Sequence, residues 1–146
     1  MSIYRYVFVF DLVPGHFAPE GSVAETECQE GTYQPYDAQP SCLECEPGFY
    51  CQERAMDHQN LCPAGFYCGN GTVVPQDCPP GTYSNRTGMS DISECLDCPL
   101  GKYCAERGAI EPSGNCRAGH ICYLNALIAD PVYNNDSAGQ FLVGYC

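Results

Sequence analysis

The sequence has few aliphatic side chains. Valine, isoleucine and leucine together make up 21 of the 146 residues, and only nine of them lie within residues 28–122. Ordering one residue costs roughly 1–2 kcal/mol in backbone entropy alone, so burial of nine aliphatic side chains cannot hold 95 residues in place. A large enzyme with a deep apolar core is excluded, and cross-links must supply the stability of this segment.

Positive charge is scarce as well. Six Lys and Arg stand against 18 Asp and Glu, which gives a net charge of −12 with the acids dispersed along the chain. Nucleic acids and anionic membrane surfaces bind clustered positive charge, so neither is expected as a partner. The acidity indicates solubility, since no Asp-rich loop with EF-hand spacing points to calcium.

Long apolar runs are missing too. No stretch approaches 18 apolar residues, so no segment is expected to insert into a membrane. Residues 1–10 resemble a signal peptide only in part, because residues 7–10 are their longest apolar run and a signal peptide needs about 7–15 apolar residues. If the protein is secreted, the sequence is that of a mature form or a fragment.

Cysteine, by contrast, is abundant, and its 13 residues follow an internal repeat. One copy reads CQEGTY, CLECEPGFYC and CPAGFYC, and the next reads CPPGTY, CLDCPLGKYC and CRAGHIC. Residues 14–28 align without gaps on residues 64–78, although Leu12 and Ala18 replace the two cysteines of the later copy. The repeat predicts a degenerate half-repeat at 14–27, one cysteine-rich module at 28–77 and a second at 78–122.

A Gly-x-Tyr motif recurs beside the cysteines. The pairs are Gly31/Tyr33, Gly48/Tyr50, Gly65/Tyr67, Gly81/Tyr83 and Gly101/Tyr103, with the variants Gly15/Phe17 and Gly119/Ile121. Glycine permits the positive φ of a tight turn, and the ring can then cover the neighbouring disulfide. A row of ligand-binding tyrosines is the alternative, but the fixed link to cysteine favours packing.

The two CxxC pairs, Cys42/Cys45 and Cys95/Cys98, could bind zinc, act as redox-active dithiols, or form structural disulfides. Each pair lies inside a longer six-cysteine order that a zinc ribbon does not explain, and no βαβ context surrounds either pair. Structural disulfides are therefore expected, with no metal and no cofactor. The three histidines, His16, His58 and His120, form no recognisable catalytic arrangement, so no enzymatic activity is predicted.

Three asparagines fit the acceptor pattern for N-glycosylation: Asn70, Asn85 and Asn135. Together with the cysteines, they predict a secreted or extracellular glycoprotein, and covalent glycans are the only non-protein groups expected.

The paired motif CPPGTYS and CLDCPLGKYC, in this six-cysteine order, resembles the ephrin-receptor-like cysteine-rich repeat, which is related in style to the tumour-necrosis-factor-receptor module. The resemblance covers roughly residues 14–122. It implies a small disulfide-rich fold, with two tandem elongated modules of short β-strands. Six cysteines allow 15 pairings, and spacing alone does not choose among them. The receptor-type order implies the bridges Cys28–Cys42, Cys45–Cys62, Cys51–Cys68, Cys78–Cys95, Cys98–Cys116 and Cys104–Cys122.

The two ends differ from the repeats. Residues 1–13 alternate β-branched and aromatic side chains and predict an apolar assembly strand, which includes Tyr4, Tyr6, Val7, Phe8, Val9 and Phe10. Residues 123–146 predict a β-hairpin or linker, because apolar stretches at 121–129 and 140–145 flank a turn-rich segment. The first strand could complete the sheet of the next subunit, or it could fold back on its own chain. The sequence leaves both open.

Two functions fit these features. The first is a structural extracellular glycoprotein that assembles head to tail into a fibre or surface coat, as similar repeats do in the hair-like appendages of protist flagella. The alternative is a ligand-binding fragment of a receptor ectodomain. The apolar ends favour the first, with further copies of the protein as its partners. Cys146 is the odd cysteine, and it begins a truncated third module or forms a bridge to another subunit.

Overall fold

The computed structural model describes residues 13–130. This part of the protein is built from six two-stranded antiparallel hairpins and contains no α-helix. One turn of 3-10 helix, Ile92–Glu94, begins at Asp91, whose side chain accepts a hydrogen bond from the backbone N–H of Ser93. The same part of the chain contains six disulfides. The predicted class, a small disulfide-rich protein of short β-strands, is confirmed.

All twelve strands are two residues long. The pairs are β1 (His16–Phe17) with β2 (Thr26–Glu27), β3 (Thr32–Tyr33) with β4 (Leu43–Glu44), β5 (Phe49–Tyr50) with β6 (Asn60–Leu61), β7 (Phe66–Tyr67) with β8 (Gln76–Asp77), β9 (Thr82–Tyr83) with β10 (Leu96–Asp97), and β11 (Lys102–Tyr103) with β12 (Gly114–Asn115). Isolated two-residue ladders are too short to be stable by themselves, so the bridges and the turns between strands must fix them.

The chain forms two compact units. Of the described residues, the first unit contains those up to Cys62 together with Cys68–Pro75 and Gly88–Ser90, and the second contains Pro63–Tyr67, Gln76–Thr87 and those from Asp91. Each unit has three hairpins and three disulfides. The proposed module boundary at Cys78 is a feature of the sequence repeat and stays a prediction.

Each of the six hairpins begins with what we call a glycine turn, a seven-residue segment centred on a glycine with positive φ, and a seventh such turn follows the last hairpin. The seven centres are Gly15, Gly31, Gly48, Gly65, Gly81, Gly101 and Gly119. In the last six turns the first residue is a cysteine, and its backbone N–H donates to the carbonyl of the preceding central glycine. The first residue of the first turn lies outside the described residues.

A second left-handed residue follows each glycine turn by three or four positions, and we call it the cap residue. The seven cap residues are Gly21, Ala38, Ala55, Gly71, Gly88, Gly108 and Asn125. Every described residue with positive φ is either a turn centre or a cap residue. The left-handed conformation is unfavourable for side chains other than glycine and asparagine, so its strict recurrence marks a position on which the fold depends.

Sulfur replaces aliphatic carbon in the interior. Among residues 13–130, the largest fully buried side chains are Met89, Ser84 and nine half-cystines. Tyr33 packs against a cluster formed by Cys45, Cys51 and Met56, as expected for a ring that covers a disulfide. Burial, with smaller contributions from Glu46 and Tyr36, raises the pKa of the Tyr33 hydroxyl.

At the two ends, the predicted assembly strand falls almost wholly outside the described residues, as do Asn135 and Cys146. The first apolar stretch of the predicted C-terminal hairpin, residues 121–129, contains a turn at 124–125 and no strand. Its backbone bonds explain the difference: the N–H of Asn125 donates to the carbonyl of Cys98, and the N–H of Cys104 donates to the carbonyl of Ala126. Asn125 and Ala126 thus make the same backbone bonds as the earlier cap residues and their neighbours, and they do not begin a new sheet.

Candidate functional site: the bridged glycine turns

The six disulfides fall into two kinds. Four close a glycine turn on itself, by joining its first and seventh residues: Cys45–Cys51, Cys62–Cys68, Cys98–Cys104 and Cys116–Cys122. The other two, Cys28–Cys42 and Cys78–Cys95, join the first residue of a turn to the returning part of the hairpin. Those two are also pairs of the receptor-type order.

The remaining four pairs of that order are corrected here. In place of Cys45–Cys62, Cys51–Cys68, Cys98–Cys116 and Cys104–Cys122, the structure has the four bridges within turns. The physical reason is the reversal at the central glycine, which brings the Cα atoms of Cys45 and Cys51 to 6.1 Å from each other, within the usual range for a disulfide.

The seventh residue of the turn decides which kind of bridge forms. Where it is a cysteine, the turn closes on itself. Where it is Gln34 or Ser84, the first cysteine pairs across the hairpin instead, and the polar side chain takes the buried seventh position. The amide nitrogen of Gln34 donates to the carbonyl of Ser41 at 2.7 Å, and the hydroxyl of Ser84 accepts from the backbone N–H of Arg86 at 3.2 Å. Both polar groups are therefore satisfied without a bridge.

A backbone hydrogen-bond ladder links each turn to the next ones. For the turn at Gly48, the glycine N–H donates to the carbonyl of Cys68 at 2.8 Å, and the N–H of Cys51 donates to the carbonyl of Thr72 at 2.9 Å. The cap residue Gly71 completes the set by donating to the carbonyl of Cys45 at 2.8 Å. Because these bonds use only the backbone, the same set can recur with different side chains.

The side chain before each cap residue often lies against the residue that precedes the first cysteine of the previous turn. Three examples are Arg54 with Glu27, Asn70 with Glu44, and Arg107 with Asp77. The guanidinium group of Arg107 donates two hydrogen bonds to the Asp77 carboxylate, at 2.8 and 3.2 Å, and these bonds hold the pKa of that carboxyl below its usual range. We call such a pair a cap pair.

Sequence reasoning located the turn glycines but did not identify the cap residues or the cap pairs. Part of the signal was present, because Gly71, Gly88 and Gly108 each follow a turn at nearly the same distance. The other caps include Ala55 and Asn125, which hide the pattern because left-handed backbone is uncommon for residues with a side chain.

The described glycosylation asparagines are both exposed. Asn85 follows the buried Ser84, and residues 85–87 are exposed throughout. Asn70 precedes the cap residue Gly71, and one of its amide hydrogens bonds to the Glu44 carboxylate at 2.6 Å. An N-glycosylated asparagine keeps one amide hydrogen, so this bond is compatible with a glycan.

We expect native protein to carry N-linked glycans at Asn70 and Asn85, and also at Asn135. Enzymatic deglycosylation converts each occupied asparagine to aspartate, and peptide mass spectrometry should detect that conversion at these positions. Asn60 is a matched negative control, because its acceptor triplet ends in the disulfide-bonded Cys62 rather than in serine or threonine. Unmodified asparagine at all three sites in native material would contradict this prediction.

The described part of the chain was also compared with the requirements for a metal site and for a membrane-spanning helix. Residues 13–130 contain no group of three or more histidine, cysteine, aspartate or glutamate side chains that could hold a metal ion. Nor do those residues include a helix of the length and hydropathy required to cross a bilayer. His16 and His120 both follow a central glycine, whereas His58 contacts the carboxylate of Asp57.

Comparison with protein-family models finds no family that matches the sequence, and no curated protein sequence matches it. The fold and the bridges define a small disulfide-rich protein of repeated β-hairpins. Six disulfides indicate folding in an oxidising compartment, because cytosolic thiols are kept reduced.

Proposed function

We propose that this protein is a structural extracellular glycoprotein whose copies join head to tail into a fibre or surface coat. The observation that carries the proposal is the repeated backbone ladder, in which successive glycine turns make the same bonds to the turns that follow them. A surface made in this way can be continued by any segment that has the same backbone geometry. Such heterologous contacts do not close, and they generate a filament.

Three features support the extracellular and structural parts of the proposal. The disulfides require oxidation, the exposed asparagines Asn70 and Asn85 are available for glycans, and the resemblance to the ephrin-receptor-like repeat is a resemblance to an extracellular module. The proposed role is not enzymatic. A repeated, cross-linked backbone suits a load-bearing element, since bridges limit local unfolding of each turn.

Exposed apolar side chains in the second unit form a surface that another copy could bind. Leu100 is 67% exposed and Ile121 is 61% exposed, and each lies within two residues of a central glycine, Gly101 or Gly119. In the six preceding turns, the position that corresponds to Ile121 carries an aromatic ring that is half-buried. Contact with another copy would cover this apolar surface.

The assembly strand is tested by removing it. Deletion of residues 1–13, or the joint substitution of Val7 and Phe8 by aspartate, should abolish polymerisation, because a charged strand cannot be buried in the sheet of a neighbour. The disulfide-bridged turns should stay folded. Negative-stain microscopy reports the fibres, and non-reducing peptide mapping reports the fold. A truncated protein that polymerises as the parent does would exclude strand donation.

A further inference from the structure

Each central glycine in the interior of the ladder is covered by a cap residue from the second turn after it. The pairs are Gly15 with Ala55, Gly31 with Gly71, Gly48 with Gly88, Gly65 with Gly108, and Gly81 with Asn125. The approach is close enough to exclude any side chain: a methyl group built on Gly48 would lie 2.6 Å from the carbonyl oxygen of Gly88. One contact therefore recurs five times, within the two compact units.

The last two described turns lack this cover. Among the residues that the structure describes, nothing lies within 4 Å of a methyl group built on Gly101 or Gly119. The backbone around them is open in the same way. Within residues 13–130, neither the N–H of Gly119 nor the N–H of Cys122 donates a hydrogen bond, and no N–H donates to the carbonyl of Cys116.

The first two turns have the complementary feature, namely cap residues that cover no described glycine. Gly21 has φ +83, and nothing described lies within 4 Å of a methyl group built on it. Ala38, with φ +54, is exposed. Near Gly21, the carbonyls of Ala18 and Ser22 accept no described backbone hydrogen bond.

We propose that the last two glycine turns of one copy bind the first two turns of a second copy, so that the ladder continues from copy to copy. Gly21 of the second copy would cover Gly101, and Ala38 would cover Gly119. The inference deepens the proposed head-to-tail assembly, and it rests on that function. It differs from strand donation because it uses the glycine turns instead of the predicted assembly strand.

The interior ladder specifies which backbone bonds the two copies would form. In the register of the five internal contacts, the N–H of Gly119 donates to the Ala18 carbonyl of the second copy. The N–H of Cys122 donates to its Ser22 carbonyl. In return, the N–H of its Gly21 donates to the carbonyl of Cys116. Each of these groups has the donor or acceptor character that its counterpart has in the interior, for example in Gly48, Cys51 and Gly71.

The same register also forms a cap pair. The residue before the cap residue Gly21 is Glu20, and the residue before Cys116 is Asn115. Glutamate facing asparagine is the combination found within the chain, where the amide of Asn70 donates to the carboxylate of Glu44. A second copy of this chain therefore matches the open end in backbone conformation, in hydrogen bonding and in side-chain chemistry.

The first test blocks the open turn in the full-length protein. The substitution Gly101→Asn places a side chain where the cap residue must approach. Asparagine tolerates the left-handed backbone, and no described residue of the single copy lies within 4 Å of a methyl group built there. We expect the apparent association constant, measured by sedimentation velocity, to fall at least tenfold. Gly71→Asn is the matched control, because Gly71 is a cap residue inside the chain with φ +66, and a methyl group built on it would approach no heavy atom more closely than 3.6 Å. It should associate as the parent does.

The second test uses the cap pair. Asn115→Asp puts a carboxylate against Glu20 of the second copy and should weaken association about two- to fivefold, as expected for an exposed charge contact. Adding Glu20→Arg to the same chain recreates the pairing of Asp77 with Arg107 and should restore association. Circular dichroism and a thiol count for each variant establish that the parent fold is kept.

The outcomes separate this interface from the proposed function. If the parent assembles, and Gly101→Asn and Asn115→Asp assemble equally well, the turn interface is wrong while head-to-tail assembly stands. If the parent is a monomer at every concentration, both are wrong. If Gly101→Asn reduces the stability of a monomer by as much as Gly48→Asn does, residues 131–146 of the same chain cover this end, and the second copy is excluded as its occupant.

Discussion

Replacing Gly48 with alanine should destabilise the oxidised protein far more than the same replacement at Gly101. Both glycines have positive φ, +90 and +79, so both substitutions force an alanine into a conformation that costs about 1–2 kcal/mol. Gly101 faces open space among the described residues. At Gly48 the new methyl group would lie 2.6 Å from the carbonyl oxygen of Gly88.

The backbone at Gly88 cannot easily move away. Its N–H donates to the carbonyl of Cys62 at 2.8 Å, and the carbonyl of its neighbour Met89 accepts from the N–H of Cys68 at 2.9 Å. Relieving the overlap would break part of the ladder next to the Cys62–Cys68 bridge. We therefore expect a loss of about 4 kcal/mol or more in the free energy of unfolding for Gly48→Ala, at the upper end for single substitutions.

Denaturant unfolding without reductant measures both variants, at concentrations low enough to keep the protein dissociated. The loss in free energy of unfolding for Gly101→Ala measures only the cost of placing alanine in a left-handed backbone. The additional loss for Gly48→Ala therefore measures the effect of the nearby cap residue. Equal losses at the two positions would mean that the cap does not contact Gly48 in solution. The cover described for all five interior turns would then be in doubt.

The periodic features of this fold could be predicted from the sequence. The recurring Gly-x-Tyr beside cysteine predicted turns with positive φ at Gly31 and Gly48, and the scarcity of aliphatic residues predicted an interior of disulfides. Both predictions are local, because a turn and the ring beside it are specified by a few adjacent residues. The small disulfide-rich fold follows from them together with the cysteine count.

The disulfide pairing and the caps could not be predicted in this way. The choice between Cys51 and Cys62 as the partner of Cys45 depends on how the turn closes, whereas the receptor-type order rests on a resemblance alone. The caps act on glycines about 40 residues earlier in the chain, and a contact at that distance leaves no local pattern. The non-glycine caps Ala55 and Asn125 conceal even the periodicity.

Cleavage after Arg54 should release the N-terminal part of the protein without any reductant. In the structure, no bridge spans this residue, because Cys45 pairs with Cys51 and Cys62 pairs with Cys68. The receptor-type order would place two bridges across the same position. Trypsin cleavage of one peptide bond, the bond after Arg54, in the denatured, unreduced protein therefore distinguishes the two orders.

The chain also offers a second informative site and a control. Arg107 lies between Cys104 and Cys116, and again no bridge of the structure spans it, whereas the receptor-type order has two that do. Arg86 lies within the Cys78–Cys95 loop in both orders, so the fragments on its two sides must stay linked until reductant is added. Linked fragments at Arg86 show that the bridges survived the digestion.

The digestion is done in denaturant at mildly acidic pH with free thiols blocked, since disulfide exchange requires a thiolate. We expect mass spectrometry to find the fragment that ends at Arg54 free of the fragment that follows, while the Arg86 fragments remain joined. Fragments that stay joined across Arg54 and Arg107 until reduction would instead contradict the bridges of the structure and agree with the receptor-type order. In that case the seventh residue of the turn would not decide the pairing. Cys51 and Cys104, although they are seventh residues, would bridge to Cys68 and Cys122 in the turns that follow.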